Sequence, residues 1–347
     1  MDCLAEWPEP VVPVESLAHL QTIPDRYVNP PEERSNCIAS AGDDAVDAIP
    51  VVDLAALTEE RVDAAVAEAV SAACRGWGFF QAVNHGVAPE LVRRFAAAWR
   101  GFFCLPVEVK QRYANSPATY EGYGSRLGVD REAALDWSDY YFLHLLPRRL
   151  KDHRKWPQLP LELCEVTEEY GAEVRLLCRR LMRALSAGLG LQEGRLAAAF
   201  GGEEDEEAAC MRINFYPKCS QPELALGLSP HSDPGGLTVL LPDTTPRDFK
   251  SAAPETAPGS PSARSPTPSS STSPTRSKVV VNAEKERMSA AYFYNPRSDV
   301  AVEPLPELVE ASGGAALYRP MTFDEYRLYI RQKGPQGKSQ LSELYQD

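Results

Sequence analysis

The sequence predicts an α+β protein in which a mixed helical region comes first and a jelly-roll or barrel of short strands follows. Apolar residues recur at helical spacing up to about Leu189, whereas from Ala209 the chain alternates and runs in short extended stretches. A third observation limits the number of core strands in the second region. Residues 244–278 contain no Leu, Ile, Val, Met, Tyr or Trp, so this segment is predicted to replace several core strands and to be disordered.

Composition excludes some classes of function. The 347 residues carry 49 acidic and 36 basic side chains, a net charge of −13, which argues against binding to nucleic acid or to an anionic membrane. The first residues show no basic and no apolar leader-like region, and no apolar run of about 18 residues occurs, so we expect a cytosolic protein, with the nucleus as a second location. The eight cysteines contain no CxxC pair and are expected to be reduced. The sequence says nothing of oligomeric state.

The first folded region is predicted to run from residue 49 to residue 200, after an N-terminal extension of residues 1–48 with one short helix at 14–20. Its start reads β-α-β-α because short apolar runs alternate with helical periodicity. The predicted elements are strands at 49–54 and 79–83 and helices at 58–75, 89–103 and 161–189.

The second region, residues 201–310, is predicted to hold the jelly-roll core, with strands at 211–216, 237–241, 279–281 and 290–294. Residues 311–347 follow as a C-terminal helix and tail. The helix at 322–333 begins at the capping residue Thr322. Phe323, Arg327 and Arg331 recur at i, i+4 and i+8 and therefore share one helix face.

His231-Ser232-Asp233 is a candidate half of a metal site. Residues two apart on an extended chain point to the same side. Non-haem iron oxygenases bind their metal with two histidines and one carboxylate on one face. An H-x-D motif supplies two of these three ligands, although a motif this short occurs by chance in many loops.

Arg287-Met288-Ser289 repeats the same spacing. It places a guanidinium and a hydroxyl on one strand face, where both can bind the distal carboxylate of a diacid. Tyr216 is a candidate phenolic donor to the same group.

Several motifs together resemble the plant 2-oxoglutarate/Fe(II) dioxygenases. They are Gly76-Trp77-Gly78-Phe79-Phe80, Val83-Asn84-His85-Gly86, Asn214-Phe215-Tyr216-Pro217, Pro230-His231-Ser232-Asp233 and Arg287-x-Ser289. The resemblance covers nearly the whole chain. It implies a double-stranded β-helix (jelly-roll) core that uses Fe(II), 2-oxoglutarate and O2, with ascorbate as a further requirement. It also implies that His231 and Asp233 bind the metal, and that Asn214, Tyr216, Arg287 and Ser289 bind 2-oxoglutarate. His85 then belongs to a structural turn.

The third metal ligand is missing. In the resembled family a second histidine follows the aspartate and precedes a valine run, but this chain has no histidine after His231. Ser277, before Lys278 and the valines 279–281, occupies that position, 277 − 233 = 44 residues after Asp233. The abrupt change of composition suggests a reading-frame or splice alteration that impairs this form. The alternatives are a genuine insertion with a rebuilt site, and Glu284 or Glu286 as substitute ligands.

Other motifs favour a substrate class. Trp7-Pro8-Glu9-Pro10, residues 122–128 and Trp137-Ser138-Asp139-Tyr140-Tyr141 are most similar to the jasmonate-induced oxygenases, and are similar also to anthocyanidin and flavonol synthases. The resemblance implies that Arg212, Arg327 and Arg331 form a clamp for the jasmonate carboxylate, with Phe323 as an apolar wall. The implied reaction is 12-hydroxylation of jasmonic acid, which lowers jasmonate signalling. The alternatives are a flavonoid-pathway dioxygenase, a catalytically dead variant, and a merely solvated arginine face.

Overall fold

The computed structural model describes residues 12–31, 34, 49–116, 120–125, 134–202, 207–231, 233–242, 249–251 and 277–333. Most of the predicted N-terminal extension, most of the segment 244–278 and the tail after Lys333 lie outside these residues. The side chains of Ser277 and Arg331 lie outside them as well, although their backbones belong to described elements.

Seven α-helices form within the described residues. They are α1 Ala64–Gly76, α2 Pro89–Phe103, α3 Val107–Lys110, α4 Leu163–Gly188, α5 Arg195–Ala199, α6 Pro306–Ser312 and α7 Phe323–Lys333. The predicted bounds of α2 are confirmed. The prediction that the first helix begins at residue 58 is wrong, because the Asp63 side chain caps the helix by accepting from the Ala65 and Val66 amides. The predicted helix at 14–20 is a short 3-10 turn, Val14–Leu17.

The strands form two main antiparallel sheets. Their bounds are β1 Val51–Asp53, β2 Gln81–Val83, β3 Gly122–Gly124, β4 Asp139–Leu146, β5 Ala208–Tyr216, β6 Leu226–His231, β7 Leu237–Pro242, β8 Phe249–Ser251, β9 Ser277–Val280, β10 Arg287–Asn295, β11 Ala301–Val302 and β12 Met321–Thr322. One sheet has the order β3-β4-β5-β10-β7 and the other the order β6-β9-β8. This mixed architecture with a jelly-roll core confirms the predicted fold class.

One expectation about the anomalous segment needs correction. Residues 244–278 were predicted to form no core strand and to be disordered, yet β8 pairs with β9, which places Lys250 opposite Lys278 and Ser251 opposite Ser277. Backbone pairing requires only amide and carbonyl groups, so a segment poor in apolar residues can still add a short strand.

The core lies between the helices and one face of the five-stranded sheet. Met211, Ile213 and Phe215 of β5 point to this side, where the rings of Phe215 and Phe103 stack at 4.9 Å. The α4 helix supplies a long buried stripe that includes Val166, Tyr170 and Val174. The same sheet therefore keeps its opposite face free for polar residues. No helix in the described ranges is long and apolar enough to cross a membrane.

A buried polar cluster attaches the N-terminal 3-10 turn to the sheet. Asp139 accepts from the amides of Val14 and Glu15, each at 2.8 Å. The Glu15 carboxylate in turn accepts from Tyr123 at 2.6 Å and from Lys110, whose side chain is only 1% exposed. Each buried charge thus depends on its partner.

We expect Lys110→Met to lower the free energy of unfolding by about 3 kcal/mol, because it leaves the Glu15 carboxylate largely buried beside Asp139 without its cation. Urea denaturation measures the loss. Lys285→Met is the matched control, because Lys285 is exposed and surface substitutions change stability by about 0.5 kcal/mol or less. Equal losses in the two variants would show that the cluster is not stabilising.

Candidate functional site

The candidate site lies on the inner face of the five-stranded sheet, which we define as the face opposite the helices. On β5 and β10, Arg287 pairs with Tyr216, Ser289 with Asn214 and Ala291 with Arg212. Residues directly opposite in an antiparallel pair share a face. The structure thus brings together five of the predicted site residues, namely Arg212, Asn214, Tyr216, Arg287 and Ser289.

Arg287 is the most informative of these residues. It is only 8% exposed, and its guanidinium lies 5.4 Å from the centre of the Tyr216 ring. Its Nε and Nη1 atoms are buried and have no hydrogen-bond partner within the described part of the chain. Buried polar groups almost always have partners. A bound carboxylate would supply oxygen acceptors for such buried cationic donors.

The neighbours of Arg287 complete an anion pocket. Burial raises the pKa of Tyr216, and a hydrogen bond with Ser289 and the charge of Arg287 act against that rise. The Oδ1 atom of Asn214 is also buried without a partner among the described residues, but as an acceptor it does not contribute to anion binding. At Gly227 in β6 a side chain would clash, because an added Cβ would lie 2.8 Å from the Tyr216 ring. This close approach brings β6 against the inner face.

His231 ends β6, and Asp233 follows it in the adjoining loop. The two side chains are 28% and 30% exposed, and His231 Nε2 lies 3.5 Å from Asp233 Oδ1. Thr238 of β7 donates to Asp233 Oδ2 at 2.7 Å. Burial acts to lower the pKa of His231, but Asp233 and the Ser229 carbonyl raise it overall. Burial acts to raise the pKa of Asp233, but His231 and Thr238 lower it overall. The predicted pair is therefore assembled.

The donor set for a metal is incomplete in the described part of the chain. No group of three His, Cys, Asp or Glu side chains able to hold a metal occurs there. The β6–β9 register places the Cα of Ser277 opposite His231, so position 277 lies beside the half-site. Glu284 and Glu286 are exposed and form no such group with His231 and Asp233, which argues against them as substitute ligands. A facial triad needs a third donor, so these residues do not fit iron as the family binds it.

His85 lies elsewhere, in the turn after β2. Its backbone carbonyl accepts from Arg180 Nη2 at 2.9 Å, and its Nδ1 accepts from the Val87 amide at 3.2 Å. Burial, with the charge of Arg180, lowers its pKa. These contacts are those of a structural residue that joins the turn to α4.

Arg212 lies beside the half-site, and its guanidinium stacks on the Tyr140 ring at 4.2 Å. Its Nε and Nη2 atoms are buried and lack hydrogen-bond partners among the described residues. Asp136, which the sequence analysis missed, accepts from the Ser229 amide at 2.8 Å and from its hydroxyl at 2.5 Å. Burial raises the pKa of Asp136 against the effects of Ser229, Arg212 and His231. A single aspartate in a loop offers no spacing signal. The one sequence signal for Asp136 is its position directly before the Trp137-Ser138-Asp139 motif.

The other predicted clamp residues lie on α7. Thr322 caps this helix as predicted: its hydroxyl accepts from the Glu325 amide at 3.2 Å, and Glu325 accepts from the Thr322 amide at 2.8 Å. Phe323 is 3% exposed, and the Arg327 guanidinium lies 5.7 Å from its ring and 3.5 Å from Asp324. Within the described residues these contacts of Arg327 stay in its own helix. The structure therefore does not join Arg327 to Arg212.

Two family models match the chain. The model for the N-terminal region of non-haem dioxygenases in morphine synthesis matches residues 49–159. The model for the 2OG-Fe(II) oxygenase superfamily matches residues 207–296. The second match contains both the half-site and the arginine of the anion pocket.

Curated relatives cover almost the full chain. Jasmonate-induced oxygenase 2 of Arabidopsis thaliana is 51% identical over 96% of this chain and 93% of its own length. Jasmonate-induced oxygenase 1 of the same plant is 49% identical over 96% and 86%. A leucoanthocyanidin dioxygenase of Malus domestica is 35% identical over 90% and 93%. A crystal structure of JOX2 with 2OG, Fe and JA superposes with a TM-score of 0.83 at 48% identity, covering 99% of this chain and 100% of that one.

We expect Arg287→Met to weaken binding of 2-oxoglutarate about 100-fold, because the change removes the buried cation that would pair with a carboxylate. The same change is expected to raise the thermal midpoint, since it removes unpaired buried donors. Isothermal titration and differential scanning fluorimetry measure the two effects.

The matched control for Arg287→Met is Arg297→Met, which removes an arginine just beyond β10 that pairs with Asp299. Equal 2-oxoglutarate affinity in the two variants would contradict a role for Arg287 in anion binding.

Proposed function

This chain belongs to the 2OG-Fe(II) oxygenase superfamily, and from this premise we propose that it is a jasmonic acid oxygenase whose form here lacks one metal ligand. Members of the superfamily are oxidoreductases that use Fe(II) and 2-oxoglutarate, with O2 as co-substrate. The observation that carries the proposal is the buried Arg287 guanidinium with two unpartnered donors, beside Tyr216 and Ser289. These residues suit the distal carboxylate of 2-oxoglutarate. The need for ascorbate stays a prediction.

The metal half-site limits the proposal. Within the described residues, His231 and Asp233 are the two candidate protein ligands, and the β6–β9 register sets Ser277 opposite His231. A serine hydroxyl is a far weaker ligand for Fe(II) than an imidazole. We therefore assign this form reduced metal affinity and reduced turnover, while the sites for the two carboxylate ligands persist.

Arg212 supports a carboxylate as substrate. Its two buried donors have no partner among the described residues and lie on the same face as the 2-oxoglutarate pocket. A jasmonate carboxylate would satisfy them, whereas a neutral flavonoid would leave them unpaired at a cost of about 1–3 kcal/mol. Similarity to the jasmonate-induced oxygenases, and the JA in the JOX2 crystal structure, support this choice. Arg327, Arg331 and Phe323 stay predicted substrate contacts, and 12-hydroxyjasmonate is the proposed product.

The proposal includes organisation and location. The chain would consist of an extension at 1–48, a helical region at 49–200, the jelly-roll core at 201–310 and a helix with tail at 311–347. The net charge of −13 disfavours nucleic acid and anionic membranes as partners. Cytosol, or cytosol and nucleus, is the proposed location.

We expect Ser277→His to bind Co2+, used as a stable probe for Fe(II), at least roughly 10- to 100-fold more tightly. Loss of a residue that only orients a metal ligand weakens metal binding by that factor, and a direct ligand contributes at least as much. The physical reason is that position 277 faces His231 across β6 and β9, so an imidazole there adds the third donor. Ser277→Ala is the control and should bind Co2+ as the unmodified chain does. A Ser277→His protein with unchanged Co2+ affinity would show that the site cannot be completed from this position.

We expect the chain to bind jasmonic acid more tightly than a neutral dihydroflavonol, and Arg212→Ala to abolish that preference by weakening jasmonate about 30-fold. Fluorescence quenching measures both ligands. Arg195→Ala is the control, because Arg195 pairs with Glu307 on α6. Jasmonate binding that survives in Arg212→Ala, or a preference for the flavonoid, would refute the substrate assignment.

A further inference from the structure

The Arg212 guanidinium is held against the ring of Tyr140. This ring is 2% exposed, and the guanidinium carbon lies 4.2 Å from its centre. Across β4 and β5, Tyr140 pairs with Asn214 and Phe142 pairs with Arg212. Tyr140 is therefore a diagonal neighbour of Arg212 on the inner face. The contact attracts the cation to the face of the ring without supplying an oxygen acceptor to its N–H groups.

The unpartnered donors of Arg212 form one edge of its guanidinium. Nε and Nη2 are buried and have no hydrogen-bond partner within the described ranges. These two nitrogens lie on the same side of the planar group, so one N–H bond of each runs parallel to the other. Two parallel N–H bonds match the two oxygens of one carboxylate. The edge that stays available beside Tyr140 is thus the one that binds a carboxylate in bidentate fashion.

Tyr140 is itself held by Asn115, in the segment before β3. The Asn115 Nδ2 atom donates to the Tyr140 hydroxyl oxygen at 2.6 Å, and the Asn115 amide donates to the Tyr123 carbonyl at 2.8 Å. Gly124 pairs with Tyr140 across β3 and β4. An added Cβ at Gly124 would lie 2.3 Å from Asn115 Nδ2. A larger residue there would push the Asn115 side chain away from the ring.

We infer that Tyr140, fixed by Asn115, is a positioning residue that presents the Nε–Nη2 edge of Arg212 to the substrate carboxylate. The inference rests on the proposed function, because it needs a carboxylate at Arg212. Without the ring, the ligand itself would have to order a long side chain with several rotatable bonds, and this entropy cost weakens binding. Tyr140 therefore favours an acid over the corresponding neutral ester.

The experiment compares jasmonic acid with its methyl ester, which keeps the carbon skeleton and removes the negative charge. Each is titrated by calorimetry into the unmodified full-length chain and into Tyr140→Leu. We expect Tyr140→Leu to bind the acid about tenfold more weakly and the ester as the unmodified chain does, because the ordered guanidinium matters only to the carboxylate. If Tyr140→Leu does not fold, Tyr140→Met, which is unbranched and flexible, replaces it.

The matched control is Tyr141→Leu. Tyr141 is the next residue on β4 and is fully buried, but it belongs to the hydrophobic core on the opposite face. Its replacement removes a buried aromatic ring of the same size without touching Arg212. We expect this variant to lose stability and to keep the ratio of the two affinities.

Two milder variants test the contact with Asn115. Tyr140→Phe and Asn115→Ala remove the same hydrogen bond and keep the aromatic face, so we expect each to weaken the acid about threefold. The double variant should bind the acid as each single variant does, since both changes remove one and the same contact. Unchanged acid affinity in both single variants would overturn the role of Asn115.

The failure of the inference differs from the failure of the proposed function. Equal weakening of acid and ester in Tyr140→Leu would indicate a purely structural residue and overturn the inference. So would a Tyr140→Leu protein that keeps its preference for the acid while Arg212→Ala loses it, a result that leaves the proposed function intact. An unmodified chain without preference for the acid would refute the substrate proposal itself, and the inference with it.

Discussion

The uninterrupted pairing of β5 with β10 is the constraint on which both the core and the candidate site depend. It runs from Arg287 opposite Tyr216 to Asn295 opposite Ala208. Because side chains alternate along a strand, one face of this ladder packs Met211 and Ile213 against the helices while the other presents polar groups. A slip of one residue would bury Arg287 and Ser289 in the apolar core and expose its apolar residues to the site. The packing of the core therefore enforces the geometry of the site.

Several buried polar atoms on the inner face have no hydrogen-bond partner among the described residues, which is unusual in a protein interior. Arg287, Arg212 and Asn214 all carry buried atoms without hydrogen-bond partners in the described ranges. Each such atom costs about 1–3 kcal/mol, and the apolar helical core offsets this cost. The Arg212 and Arg287 atoms are cationic donors on a single face and suit carboxylate ligands, whereas the Asn214 oxygen is an acceptor that needs a donor.

The metal half-site is held in place by contacts that need no third donor. Thr238 still holds Asp233, Ser229 still orients His231, and β9 still returns alongside β6. This return sets Ser277 opposite His231. Backbone pairing tolerates a serine there because it does not depend on side-chain chemistry, whereas metal binding depends on it entirely.

The sequence by itself determined the fold class, the bounds of α2, the cap of α7 and the H-x-D and R-x-S pairs, because these follow from local periodicity and short spacings. Only the tertiary structure decided which residues meet. It joined Asn214 to Ser289 and Ser277 to His231 through register, and it left Arg327 in contact with its own helix. Asp136 was not predicted because a single aspartate in a loop has no sequence pattern. The β8 strand was not predicted because it is held by backbone pairing and shows no alternation of apolar residues. Their partners lie far away along the chain, and only folding brings them into contact.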